Sequence, residues 1–252
     1  MRSNIKILDL FSGIGGFSLG LESTGGFETV AFCEIEKYPQ EVLKKNFPGV
    51  PIYEDIKTLT AERLVRDGID RIDVITGGYP CQPFSVAGKQ KGEKDDRHLW
   101  PSMLEIIAQV RPAWVICENV TGHIALGLDQ VLLDLETEGY SSRTFIVPAC
   151  SVNAPHRRDR LWIVAHSESQ RIQGHWASGK QEPHPYEEKT LSLCGSKRPA
   201  AAHWEIEPGM GRVADGIPRR VARLKALGNA VVPQICMMIG QAILEFENED
   251  KN

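Results

Sequence analysis

Ile5-Lys6-Ile7-Leu8-Asp9-Leu10-Phe11-Ser12-Gly13-Ile14-Gly15-Gly16 is the stretch that decides the fold. Six residues with strand character run into a glycine-rich turn, and a helix carrying Phe17, Leu19 and Leu21 follows. A strand, a glycine turn and a helix in that order open an α/β unit. Glycines let the backbone approach a ligand closely, and the crevice outside the strand ends is where such sheets hold nucleotides. A dinucleotide fingerprint would need a glycine at position 18, which is Ser18. A nicotinamide dinucleotide is therefore disfavoured, and a cofactor without a pyrophosphate fits better.

Outward from this unit the alternation continues. Strands are predicted at 28–33, 51–53, 73–76, 113–117, 143–147 and 160–165. Helices are predicted at 36–46, 61–66, 101–110 and 126–138. Apolar strands alternating with helices argue for a Rossmann-like, doubly wound α/β sheet. The pattern breaks after His166. Residues 167–208 are rich in Ser, Gly, Pro, Lys and Glu and read as a loop-rich insertion, with a linker or disordered segment as the alternative. Periodicity returns in a last helix from about Pro233, with Ile235, Met238, Ile239, Ala242, Ile243 and Phe246 at core spacing. The division expected is 1–166, an insertion at 167–211, and a segment at 212–252 that completes the first part.

A chain of 252 residues can bury a sizeable core. The six cysteines form no Cys-x-x-Cys pair, so neither a disulfide framework nor a zinc knuckle is suggested. His175, His184, Cys194 and His203 match no standard metal spacing, and no metal is expected. No apolar run of membrane-spanning length and no signal peptide are read, so the expected setting is a reducing cytoplasm. A net charge of −4 gives no global pull toward nucleic acid. Local basic clusters stand at Lys89, Lys91, Lys94 and Arg97, at Arg157, Arg158 and Arg160, and from Arg212 to Lys225. A solvated face explains any single cluster equally well.

Four further motifs and two single acids carry chemistry. Gly77-Gly78-Tyr79-Pro80-Cys81-Gln82-Pro83-Phe84-Ser85 sets a thiol on a stiff turn after a buried strand, the placement of a nucleophile. A buried free cysteine is the bland alternative. Glu34 ends the second strand about 20 residues after the glycines, where ribose hydroxyls are bound in such sheets. Asp55 follows the third strand and could accept from an adenine amino group. Glu118-Asn119-Val120 closes a strand that can neighbour the Cys81 strand, bringing a carboxyl beside the thiol. Arg158 and Arg160 begin the last strand, where alternation would point both to one face, and a surface ion pair suits Arg157 better. Gly228-Asn229-Ala230-Val231-Val232-Pro233 leads into the final helix.

In this order the motifs resemble the DNA (cytosine-5) methyltransferase family, over roughly residues 5–165 and 211–245. The resemblance implies the S-adenosylmethionine-dependent methyltransferase fold, with 167–211 as a reduced target-recognition region. It implies S-adenosylmethionine as cofactor, held by Asp9, Phe11, Gly13, Gly15, Gly16, Glu34, Asp55, Ile56, Pro80, Asn229 and Val231. It makes Cys81 the nucleophile, Glu118 its partner at the base, and Arg160, with Arg158 as companion, the group that steadies the flipped cytosine. Gln82, Ser85, Lys89 and Arg97 would meet double-stranded DNA. A monomer is expected, with a cognate restriction endonuclease open and none required.

The sequence departs from the family pattern in four places. The recognition region is short, His156 replaces a usual glutamine, the usual basic-rich motif near the end of the recognition region is reduced to Arg219–Leu224 at most, and His98-Leu99-Trp100 follows Arg97 where a glycine is usual. This marks a compact, phage- or prophage-like bacterial member, for which a short or relaxed recognition site is expected. Cytosine in tRNA is the alternative substrate, and an inactive DNA-binding relative is a third reading. The intact Cys81, Glu118 and Arg160 count against the latter.

Overall fold

The structure is a computed structural model and describes residues 4–80, 99–167, 169 and 219–249. Strand β1 (Ile5–Leu10) leads to α1 (Gly16–Glu22), β2 (Phe27–Cys33) and α2 (Lys37–Asn46). Then come β3 (Ile52–Tyr53), α3 (Ala61–Arg66), β4 (Val74–Gly77), α4 (Trp100–Val110) and β5 (Trp114–Val120). Helices α5 (His123–Leu126) and α6 (Leu128–Thr137) precede β6 (Tyr140–Pro148) and β7 (Asp159–Ser167), and α7 (Arg220–Asn229) and α8 (Pro233–Glu249) follow.

Among the described residues one seven-stranded sheet runs in the order β3-β2-β1-β4-β5-β7-β6. Strands β1 to β5 run parallel to one another, and β7 is antiparallel to both β5 and β6. Successive strand residues face opposite sides, and each side carries its own core. Leu8, Leu10, Ile75, Val115 and Cys117 pack under α3, α4 and α6 on one side. Ile5, Ile7, Val74, Ile116 and Trp162 pack with Phe17, Leu21, Ile235 and Ile243 of α1 and α8 on the other. Both faces of the central strands are thus buried, which accounts for their near-continuous apolar character. Strand β6, at the sheet edge, has mostly exposed residues instead.

The helix expected over 126–138 is α6, which begins after Gly127, and the short α5 before it was not expected. The expectation of no apolar run of membrane-spanning length meets one exception among the described residues. The segment Val221–Glu249 is long and apolar enough to count as a candidate membrane span by length and composition alone. The chain interrupts it between α7 and α8, and Ile235, Cys236 and Ile243 of α8 are buried in the core. Cys81, Gln82, Ser85, Lys89 and Arg97 lie outside the described residues, as does nearly all of 167–211.

Candidate active site

The parallel strand order reverses between β1 and β4, and the crevice beyond the carboxyl ends of the strands there is the place where open α/β sheets bind ligands. A cavity of about 420 Å³ opens at this point. Phe11, Gly13, Gly16, Glu34, Asp55, Ile56, Pro80, Glu118, Arg158, Arg160, Asn229 and Val231 all line it. Twelve of the expected site residues, drawn from both ends of the chain, therefore meet in one cleft.

The turn after β1 is shaped by backbone that only a few residues tolerate. Phe11, Gly13 and Gly15 have φ of 52°, 54° and 85°. Gly13 has nothing within 4 Å of where a Cβ would stand, so its open side belongs to the cleft. A Cβ on Gly16 would meet Val231 Cγ2 at 2.7 Å, which is why α1 and the segment before α8 can close on each other. Glu34 accepts from the N–H of Gly13 at 2.7 Å and from the N–H of Glu36 at 2.8 Å. Burial raises its pKa against those two donors. Asp55 caps the short 3-10 turn Ile56–Thr58 by accepting from Lys57 N–H.

Asp9 and Gly15 are placed differently from the expectation. Asp9 is fully buried behind the wall, where its carboxyl accepts from Ser18 Oγ at 2.9 Å and Thr76 Oγ1 at 2.8 Å. Burial pushes its pKa up to about 7, opposed by these hydrogen bonds. A Cβ on Gly15 would run into Phe47 and Leu43, so this residue serves the packing of the turn against α2. Both shape the cleft without lining it.

Glu118 stands on β5 directly beside β4, whose last residue Gly77 pairs with Cys117. The adjacency expected of the two motif-bearing strands is thus present. The backbone at Gly78 passes close to the carboxyl: a Cβ there would stand in van der Waals contact with Glu118 Oε2, at 3.4 Å. Arg160 on β7 forms an ion pair with Glu118, Nε to Oε1 at 2.9 Å. Only 8% of Glu118 is exposed, and burial pushes its pKa up to about 7, opposed by the charges of Arg160 and then Arg158. A carboxyl so poised can hold a proton near neutral pH and still return it.

Arg158 corrects the alternation argument. It precedes β7, with φ of 39°, so strand alternation is not what brings it to the cleft. Its Nη2 donates to the carbonyls of Gly228 at 2.6 Å and Ala230 at 2.8 Å. Arg157, as expected, pairs with Asp159 on the surface.

Sequence reasoning passed over several supports. Asn119 Nδ2 donates to the Tyr79 carbonyl at 3.1 Å, and the Tyr79 hydroxyl lies 2.9 Å from His123 Nε2. Tyr79 also packs on Trp100 at 5.0 Å between ring centroids. Lys225 lines the cleft and pairs with Glu36, while Arg219 pairs with Glu41, so α7 is tied to α2 across the mouth. Two of these had a signal in the sequence: Asn119 stands beside Glu118, and Arg219 and Lys225 belong to the third basic cluster.

A family model for C-5 cytosine-specific DNA methylase matches residues 5–203. The Type II methyltransferase M.AplI of Arthrospira platensis is 36% identical over 169 residues, 66% of this chain and 47% of that protein. M.HhaI of Haemophilus parahaemolyticus is 33% identical over 194 residues, 75% of this chain and 56% of that one. Among solved structures, an E. coli prophage-encoded protein described as a DNA modification methyltransferase aligns with TM-score 0.56 and 27% identity over 66% of this chain and 47% of its own. Spodoptera frugiperda DNMT2 aligns with TM-score 0.56 and 25% identity over 71% of this chain and 54% of its own. The chain spans about half the length of the curated relatives it matches.

Proposed function

Because this chain belongs to the C-5 cytosine-specific DNA methylase family, we propose that it transfers a methyl group from S-adenosylmethionine to C5 of cytosine in double-stranded DNA. The observation that carries the reading is the Glu118–Arg160 pair, facing a cleft whose other wall is the glycine turn with Glu34 and Asp55.

The cleft fits the cofactor by its chemistry. Glu34 and Asp55 offer carboxylate acceptors for ribose hydroxyls and an adenine amino group, and Gly13 leaves room for close approach of the backbone. Phe11, Ile56, Pro80 and Val231 supply apolar wall, and Asn229 a further polar group. When bound, S-adenosylmethionine supplies a methyl group made electrophilic by its sulfonium.

Cytosine C5 is too weak a nucleophile to take that methyl group unaided. The Cys81 thiolate adds to C6, and the C5=C6 electron pair is released toward the ring. Glu118 passes its proton to N3 and neutralises the charge that addition creates. Arg160 holds the Glu118 carboxyl in place and stabilises it once the proton has left. C5 then carries the nucleophilic pair and accepts the methyl group. Loss of the C5 proton to a base, with departure of the sulfur from C6, restores the aromatic ring and the free thiol. In a duplex N3 is base-paired and the ring faces open to addition at C6 and methylation at C5 are covered by stacking, so the cytosine must be flipped out, at a cost of a few kcal/mol.

We assign Gln82, Ser85, Lys89 and Arg97 to the DNA contacts and residues 167–211 to a reduced target-recognition region. The chemistry needs one chain and no restriction endonuclease, and the reducing bacterial cytoplasm keeps the thiol available. Bisulfite sequencing of DNA from cells expressing wild type or Cys81→Ala tests the reading, with nucleoside analysis of tRNA as a second arm. Methylated cytosine in DNA with wild type alone supports it. Methylation confined to tRNA, or equal methylation with both proteins, sinks it.

A further inference from the structure

We infer that Arg158 is a positioning residue for the cofactor side of the cleft, acting through the backbone of Gly228 to Ala230 rather than on the cytosine. The inference rests on the reading of the cleft as an S-adenosylmethionine site. Asn229 and Val231 reach that cleft from a helix junction about 70 residues further along the chain, and their placement needs a fixed backbone.

Helix α7 ends at Asn229, and the last carbonyls of any helix lack intrahelical partners. Its own last turn carries no basic residue to compensate. Arg158 supplies the missing donor: one guanidinium nitrogen meets the carbonyls on both sides of Asn229. A cation at a helix C-terminus also opposes the negative end of the helix dipole. The second observation is conformational. Arg158 sits in the left-handed region, which an arginine adopts only when its surroundings over-determine it. From that backbone its side chain reaches the end of α7. The two arginines, two residues apart, thus hold different partners: Arg160 a carboxyl on β5, Arg158 a backbone segment between α7 and α8. Val231, just beyond that segment, is also the residue that a Cβ on Gly16 would strike, so the same clamp sets how the glycine turn meets the C-terminal part.

The test is calorimetric binding of S-adenosylhomocysteine, which needs no DNA and no turnover, with amide hydrogen exchange over residues 226–233 alongside. Arg158→Met should raise Kd about tenfold or more, the size of lost hydrogen bonds from a charged donor, and speed exchange in that segment. Arg158→Gln keeps one amide donor and should fall between Met and wild type, which also covers the case in which the Met variant folds poorly. Arg157→Met, next in the chain but paired with Asp159 on the surface, should leave Kd within about twofold. Wild-type Kd and wild-type exchange in both Arg158 variants would overturn the inference alone. No binding by wild type would overturn the reading of the cleft, and the inference with it.

Discussion

Arg160 and Glu118 meet diagonally across an antiparallel strand pair, Nε to Oε1 at 2.9 Å, with Glu118 buried. Two opposed forces act on the carboxyl. Loss of water favours its neutral form, and the guanidinium favours its charged form. Burial is the larger, and the pKa stands at about 7. Glu118 is therefore expected to titrate near pH 7 in carbon-13 NMR of the cofactor-free protein. Arg160→Met removes the opposing charge, so the midpoint should move up. A midpoint below 5, or a downward move in the variant, would show that burial does not dominate.

The same carboxyl must give its proton to N3. The donor fraction is high below about pH 7 and falls above it. Glu118→Gln keeps the shape and cannot transfer a proton, so the rate constant for methyl transfer should drop about 10²-fold or more. Single-turnover transfer of labelled methyl groups measures it. A variant within a few-fold of wild type would remove Glu118 from proton transfer.

Asp9 links the fold to pH. Its folded pKa of about 7 lies above the ordinary aspartate range, so the folded state holds the proton more tightly than the unfolded chain. The stability this contributes is complete below about pH 4 and is lost as pH rises through about 7. Urea unfolding at pH 5 and pH 8 should show wild type losing more stability over that interval than Asp9→Asn. An equal loss in both proteins would contradict it.

Gly20 measures how tightly α1 and α8 meet. A Cβ there would lie 2.2 Å from the Pro233 carbonyl and 2.5 Å from Cys236 Cβ, both on rigid structure. Gly20→Ala should therefore cost about 1–3 kcal/mol or more in urea unfolding. Gly122→Ala has nothing within 4 Å of the added carbon and a negative φ, and should stay within about 0.5 kcal/mol of wild type. Equal effects at the two sites would deny the close contact.

Much of this arrangement was legible in the sequence, and the reasons differ by element. Strands β1, β2, β4 and β5 are buried on both faces, so their apolar runs stand out between helical periods. The adjacency of β4 and β5 follows from the doubly wound pattern. The insertion of β7 between β5 and β6 does not, because pairing between distant antiparallel strands leaves no local mark. Arg160 was placed rightly, since it lies within β7. Arg158 does not follow strand alternation, because its left-handed backbone precedes β7. Tyr79 and His123 escaped notice for a related cause: each finds its partner 44 residues away, where spacing carries no information.

The central claim is a covalent bond between Cys81 and cytosine C6, formed with Glu118 at N3. A DNA duplex carrying 5-fluorocytosine in place of cytosine tests it most directly. After methyl transfer C5 holds fluorine rather than hydrogen, so no base can complete the elimination and the adduct persists. Wild type with S-adenosylmethionine should give a protein–DNA complex that survives denaturation, with the cross-linked peptide containing Cys81. Methylation of ordinary cytosine by wild type with no trapped complex, or a complex that still forms in Cys81→Ala, would contradict the account.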